Sequence, residues 1–254
     1  MSRIRYVAIG DSFSEGVGDE LPDGTVRGWA DLAALGWASA LGEPIEYANL
    51  AIRGRLIRPI IAQQLEPALA LKPTHLSFAG GGNDIMRPRA DVPAIIDLFE
   101  HVLRRCDEEG VQLILLSGAD PTAQLPMGGL MKRRGDEMAR LVDERLASRP
   151  DVIRVHNWFD AELAKPPFWS ADRLHMNARG HHRVAARVLE ALGVDAPVDW
   201  WHLDRIPEQE RLRGMRYYRE HVVPWVRRRL TGTSSGDGRE PKFGGGWASI
   251  QPAS

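Results

Sequence analysis

Cysteine is all but missing from this 254-residue chain. Cys106 stands alone, which excludes an intramolecular disulfide and any cysteine-based zinc site built within one chain. Lysine is nearly as scarce: arginine supplies 29 of the 33 basic residues, and 34 acidic residues bring the formal net charge to −1. So balanced a chain lacks the basic excess with which a general nucleic-acid binder holds phosphates, and no nucleic-acid partner is expected. No run approaches the ~18 consecutive apolar residues of a membrane span, so no transmembrane segment is expected. The N-terminus, MSRIRYVAIGDS, meets the charged Asp11 after a few apolar residues. A secretory signal needs a longer apolar stretch and a small-residue cleavage site, and the expectation is a cytoplasmic protein.

Cofactor fingerprints are missing as well. Gly16-Val17-Gly18 runs into Asp19-Glu20 without completing G-x-G-x-x-G, and no G-x-x-x-x-G-K-[ST] occurs. His75, His101, His181 and His182 are scattered without metal-ligand spacing and read as surface or helix-packing residues. The expectation is therefore no metal and no organic cofactor.

What the chain does hold is a core: 43% of its residues are hydrophobic and 26% charged, the balance of a folded domain. Short apolar runs at Arg5–Ile9, Ile45–Leu50, His75–Ala79, Val111–Leu116 and Val152–Val155 alternate with amphipathic stretches. Those stretches are Trp29–Leu41, Ile57–Leu71, Val92–Glu109, Gly135–Ser148 and Ala178–Leu192. Near-continuous apolar strands alternating with helices specify a parallel sheet covered on both faces. The fold class expected over residues 1–195 is α/β, doubly wound and flavodoxin-like, a three-layer α/β/α domain around a parallel sheet of about five strands.

Residues 196–230 differ. Between Arg205 and Arg229 lie eight arginines against three acidic residues. Leu212, Met215, Val222 and Trp225 fall at helical spacing, with Pro224 to kink or end the helix. The reading is a helical, Arg-rich extension docked on the domain with a solvated basic face. Residues 231–254, rich in Gly and Ser, read as a flexible tail.

In a doubly wound sheet, ligands bind beyond the carboxyl ends of the strands, so the segments after each strand hold the candidate chemistry. After the first comes Gly10-Asp11-Ser12-Phe13, after the second Asn49-Leu50-Ala51-Ile52-Arg53-Gly54, and after the third Gly81-Gly82-Asn83-Asp84. Before the last helix stands Asp172-Arg173-Leu174-His175. Each has an ordinary structural reading alone: Ser12 as an N-cap, Gly54 as a turn glycine, Asn83 as an Asx turn, Asp172 and His175 as a surface turn. Trp158 and Trp169 flank the segment leading to Asp172 and are candidates to wall a pocket.

Together and in this order, the blocks GDSF, NLAIRG, GGND and DRLH resemble the SGNH-hydrolase superfamily, also called the GDSL lipase/esterase family. Phe13 stands for the usual Leu, Ala51 for a frequent Gly, and Arg173 and Met176 for the common Gly and Pro beside the histidine; no catalytic group is lost. The resemblance implies a serine hydrolase that cleaves carboxylic esters of small molecules through an acyl-enzyme. Ser12 would be nucleophile, His175 the base, and Asp172 its orienting carboxylate. The backbone N–H groups of Ser12 and Gly54 and the Asn83 amide would form the oxyanion hole. Asp11 and Asp84 would support the loops. An acyltransferase, in which another alcohol resolves the acyl-enzyme, is an alternative on the same fold; a binding module with an idle triad is another.

Overall fold

In the computed structural model, residues 3–125, 128–201, 214–224, 227, 231, 233–243 and 246–253 are described. Six strands form one sheet in the order β5-β4-β3-β1-β2-β6. β1 (Arg5–Gly10), β2 (Ile45–Asn49), β3 (His75–Ala79), β4 (Gln112–Leu116) and β5 (Ile153–Val155) are mutually parallel, and β6 (Ala248–Ile250) runs antiparallel to β2. The parallel part has the flavodoxin-like order, whose topological switch lies between β1 and β3.

Alternation along β1 shows how the layers form. Tyr6 and Ala8 face a core shared with Trp29 and Trp37 of α2 (Trp29–Leu41) and Val184 and Leu189 of α8 (Ala178–Ala191). Val7 and Ile9 face the opposite core, with Ile96 and Val102 of α6 (Val92–Glu108) and Met138 of α7 (Gly129–Arg145). All four β1 residues are fully buried, as a central strand covered on both faces requires. His181 is buried beside α2: its Nδ1 accepts the Trp29 N–H at 3.1 Å and its Nε2 faces the Val17 carbonyl at 3.2 Å. Burial pushes its pKa down to about 4, so it is a neutral clamp between α8 and the start of α2.

Two short helical turns are additions to the sequence reading: α1 (Ser12–Glu15) and α5 (Gly82–Ile85), which directly follow β1 and β3. The stretch after β2 is helical from α3 (Ile57–Ile60) to α4 (Glu66–Ala70), with a π-helical turn at Ile61–Leu65 between them. That turn carries Gln64, a buried side chain that closes on the Gly10 peptide: Oε1 accepts its N–H at 2.8 Å and Nε2 donates to its carbonyl at 3.0 Å. The glutamine thereby pairs both groups of the Gly10 peptide at the end of β1, and the Gly10 carbonyl also accepts the Ile52 N–H at 3.3 Å.

The flexible tail expected at 231–254 is corrected by the structure. Ile45, Glu46 and Tyr47 pair with Ile250, Ser249 and Ala248, so the chain end supplies the sheet's sixth strand and covers the β2 edge. Phe243 packs edge-on against Tyr47 at 5.5 Å between ring centroids, and Lys242 pairs with Asp31 at 2.6 Å. Gly/Ser composition marks this segment as turn-rich, while its few anchors, Lys242, Phe243 and Trp247, do the docking. In the Arg-rich stretch, α9 (Gly214–Tyr217) and a π-helical turn at Tyr218–Val222 are helical. The expected stripe does not hold there, because Met215 is 83% exposed and Tyr217 is the buried residue; Leu212 and Trp225 lie outside the described residues.

Replacing Phe243 by Ala removes a half-buried ring from the domain core. Urea unfolding should show a loss of about 1–3 kcal/mol, below the full cost of a buried Phe. A solvated tail would tolerate the change without loss.

Candidate active site

Asp11 opens the turn after β1. As N-cap of α1 its Oδ1 accepts the Phe13 N–H at 3.1 Å, which leaves Ser12 on the first helical residue at the mouth of the sheet. The Ser12 hydroxyl faces His175 Nε2 at 3.0 Å. His175 Nδ1 lies 2.6 Å from Asp172 Oδ2. A carboxylate accepts only, so Nδ1 carries the proton and Nε2 is left to accept from Ser12.

The 170–175 loop is built around Asp172. Its Oδ1 accepts from Ser170 Oγ at 2.7 Å, from the Leu174 N–H at 2.9 Å and from the His175 N–H at 3.0 Å. Burial pushes this carboxyl up, but the charge and hydrogen bonds of His175 outweigh it and hold the group well below the usual carboxylate range. Burial likewise works against the His175 imidazolium; the Asp172 carboxylate overrides it, aided by Asp11, and raises the His175 pKa above its ordinary value. Asp11 moves the other way: burial pushes it up to about 6.

Arg173 adopts a left-handed conformation, φ 63°, a region that costs a non-glycine residue about 1–2 kcal/mol. Its guanidinium lies 3.9 Å from the centre of the Tyr217 ring, and the Tyr217 hydroxyl donates to the Asp172 carbonyl at 3.3 Å. The C-terminal extension therefore touches the loop that carries Asp172 and His175.

Asn83 stands in α5, across the β1–β3 switch from Ser12. Its amide donates to Asp11 Oδ2 at 3.1 Å and to the Arg55 carbonyl at 3.0 Å. Asp84 Oδ2 accepts the Ile57 N–H at 2.9 Å, a second tie between the β2 and β3 loops. Gly54 sits between Arg53 and Arg55 on that β2 loop but does not line the cavity at Ser12; Ser234 and Ser235 of the C-terminal segment pack against it. Ser12, Asn83 and His175 all line that cavity, which has a volume of about 100 Å³. Its walls are Ile85, Pro121, the indoles of Trp158 and Trp169, and four methionines, Met86, Met131, Met138 and Met176.

Sequence reasoning passed over the buried pair beneath this site. Glu15 Oε2 accepts the Arg53 backbone N–H at 2.6 Å, and Oε1 accepts Arg53 Nε at 2.8 Å and Nη2 at 2.5 Å. The signal was opposite charges placed three residues after Ser12 and one before Gly54. Gln64 gave no signal, since nothing in a helical pattern marks a glutamine aimed at a distant strand. Among the described residues no cluster of His, Cys, Asp or Glu could hold a metal ion.

The sequence matches the model of the GDSL-like Lipase/Acylhydrolase family over residues 8–183, more than half of the chain. The chain belongs to that family. It is thus a carboxylic ester hydrolase by membership, and solved structures bear out its fold. One is TesA, with 22% identity, a TM-score of 0.60, and 74% of this chain and 97% of that one covered. Another is Axe2, an acetylxylan esterase from Geobacillus stearothermophilus: 20% identity, TM-score 0.59, coverage 76% and 95%. A third is LAE5, an alpha/beta hydrolase from the metagenome of Lake Arreo, Spain, at 23% identity, TM-score 0.59, and coverage of 75% and 95%. Among curated proteins none matches significantly. No described helix is long and apolar enough to cross a membrane.

Arg53→Met leaves Glu15 buried without its cation. Breaking such a pair costs on the order of 3–5 kcal/mol, and that loss should register in urea unfolding. Adding Glu15→Leu should recover most of it; a double variant as unstable as Arg53→Met would mean the pair has no such role.

Proposed function

We propose that Ser12, His175 and Asp172 act as a catalytic triad that hydrolyses carboxylic esters through an acyl-enzyme at Ser12. The observation that carries this reading is one continuous hydrogen-bonded line, Ser12 Oγ to His175 Nε2 at 3.0 Å and His175 Nδ1 to Asp172 Oδ2 at 2.6 Å. Ser12 Oγ attacks the ester carbonyl as its proton passes to His175 Nε2. The tetrahedral intermediate then collapses, breaking the bond to the alkoxy oxygen, and His175 returns the proton to the departing alcohol. Water, deprotonated by the same Nε2, repeats the sequence on the acyl-enzyme and frees the acid and Ser12. Asp172 holds the tautomer and stabilises the imidazolium at each step.

The developing oxyanion would be met by the Ser12 N–H, the Gly54 N–H and the Asn83 amide. Support for Asn83 is its place in the cavity with Ser12. Both its amide hydrogens rest on protein acceptors, so donation to the oxyanion exchanges one of those bonds as charge develops. Support for Gly54 is its position between Arg53, bonded to Glu15 of α1, and Arg55, bonded to Asn83. The ester itself would be one whose body fits an apolar, methionine-rich cavity.

Ser12→Ala should lower kcat/KM for p-nitrophenyl acetate by about 10³-fold or more with an unchanged Tm. A fluorophosphonate should label wild type at Ser12 alone. Retained turnover in the variant, or labelling at Ser14, would overturn the assignment.

The base must be neutral to take the Ser12 proton, so kcat/KM should rise with pH as His175 loses its own. The Asp172 carboxylate raises that pKa, placing the midpoint above the ordinary value of about 6.5. In Asp172→Asn the midpoint should move down while kcat falls; a midpoint that stays put would separate Asp172 from the titrating base.

A further inference from the structure

Asp172 and His175 stand in one tight turn. Trp169 and Met176 pair across its base as an antiparallel bridge. Inside it the Ser170 N–H donates to the His175 carbonyl at 2.8 Å, and the Arg173 N–H donates to the Ser170 carbonyl at 3.0 Å. Only Arg173 and Leu174 lie between the carboxylate and the imidazole, so the backbone angle at Arg173 sets how Asp172 meets His175 Nδ1. That angle, φ 63°, is left-handed, a region where Cβ crowds the following carbonyl oxygen. An unsupported arginine there relaxes toward negative φ and turns the Asp172 peptide with it.

The support comes from the C-terminal extension. Across its described residues 214–224, Tyr217 alone is buried, so α9 turns its one inward side chain onto this loop. The Arg173 guanidinium lies over the Tyr217 ring, 3.9 Å from its centre. The Tyr217 hydroxyl donates to the Asp172 carbonyl at 3.3 Å. That carbonyl belongs to the peptide whose rotation φ at Arg173 measures. One side chain thus holds the rotating peptide through its hydroxyl and the side chain beyond it through its ring. Neither Arg173 nor Tyr217 lines the cavity at Ser12, so the pair acts on the turn and not on a substrate.

We propose that Tyr217 is a positioning residue for the triad: it holds Arg173 in its left-handed conformation and thereby keeps the Asp172 carboxylate on His175. The proposal rests on the reading of His175 as the base and Asp172 as its partner. It places part of the apparatus that orients the base in the extension, and not in the domain that carries the base.

The test is steady-state kinetics of the full chain on p-nitrophenyl acetate, at a temperature where circular dichroism shows each variant folded. Tyr217→Ala should lower kcat about tenfold, the shift in population that a left-handed residue's strain drives once it is unopposed. KM should stay nearly unchanged, because no substrate contact is lost. Adding Arg173→Gly should return most of the loss, since glycine keeps a positive φ without support. A role in docking the extension alone predicts a lower Tm for Tyr217→Ala with wild-type kcat in the folded enzyme, and that result overturns the proposal. A double variant no faster than Tyr217→Ala overturns it as well. If Tyr217→Ala fails to fold, Tyr217→Leu takes its place, because leucine fills the buried site but carries neither a π face nor a hydroxyl. Turnover that survives Ser12→Ala would instead overturn the mechanism beneath the proposal, so the two failures are told apart.

Discussion

Parallel strands end in loops that share no ladder hydrogen bonds, so nothing in the sheet itself fixes one loop against the next. In this chain one backbone bond, from the Ile52 N–H to the Gly10 carbonyl at 3.3 Å, is joined by several from side chains. The Asn83 amide donates to Asp11 on the β1 loop and to the Arg55 carbonyl on the β2 loop, so one planar group ties three loops at the switch between β1 and β3. Glu15 adds a second join by taking the Arg53 peptide and guanidinium together. Asn49 contributes a third, its amide donating to the Ser14 carbonyl at 2.8 Å while its Oδ1 accepts the Ala51 N–H at 3.0 Å. Remove these and Ser12, Gly54 and Asn83 remain on the segments that follow their strands without these side-chain ties.

The same joins set the electrostatics of the site. Asp11, buried and bonded to Asn83, lies close enough to His175 to help raise the imidazole pKa along with Asp172. Two carboxyl groups thus act on one histidine from different loops. They differ in pKa because Asp172 is bonded to His175 directly and takes three further hydrogen bonds, whereas Asp11 takes one backbone bond and one amide and feels burial more. Separation of this kind keeps the Asp172 carboxylate charged beside His175 while burial holds Asp11 up at about 6.

How much of this was legible in the sequence follows from the range of each interaction. Strands β1 to β3 and helix α2 were readable almost to the residue, since apolar period and flanking glycines act within a few positions. The blocks around Ser12, Gly54, Asn83 and His175 were legible because each sits directly after a strand or before a helix. Long-range partners were not. Gln64 closes on Gly10 across 54 positions, and His181 reaches Trp29 across 152, with no local pattern to mark either. The error at residues 231–254 has the same cause: a Gly/Ser-rich stretch reads as solvated unless one knows that Tyr47 and Asp31 wait for Phe243 and Lys242.

The family match ends at residue 183, yet two later segments reach the loops around the site. Tyr217 lies under Arg173 and bonds the Asp172 carbonyl. On the other side the turn at 234–237 sits on Arg53 and Gly54, with Asp237 near Arg55 at 3.8 Å. Arg173 occupies a left-handed position where the family commonly has glycine, and the strain there, about 1–2 kcal/mol, needs an offset. Stacking a guanidinium on a tyrosine ring is worth roughly 0.5–2 kcal/mol, more as water is excluded, and Tyr217 is only 2% exposed. The two magnitudes are of the same order. The ring supplied by the extension is thus of a size to offset the strained Arg173 backbone, and the loop carrying Asp172 and His175 is held in part by a segment outside the family's own span.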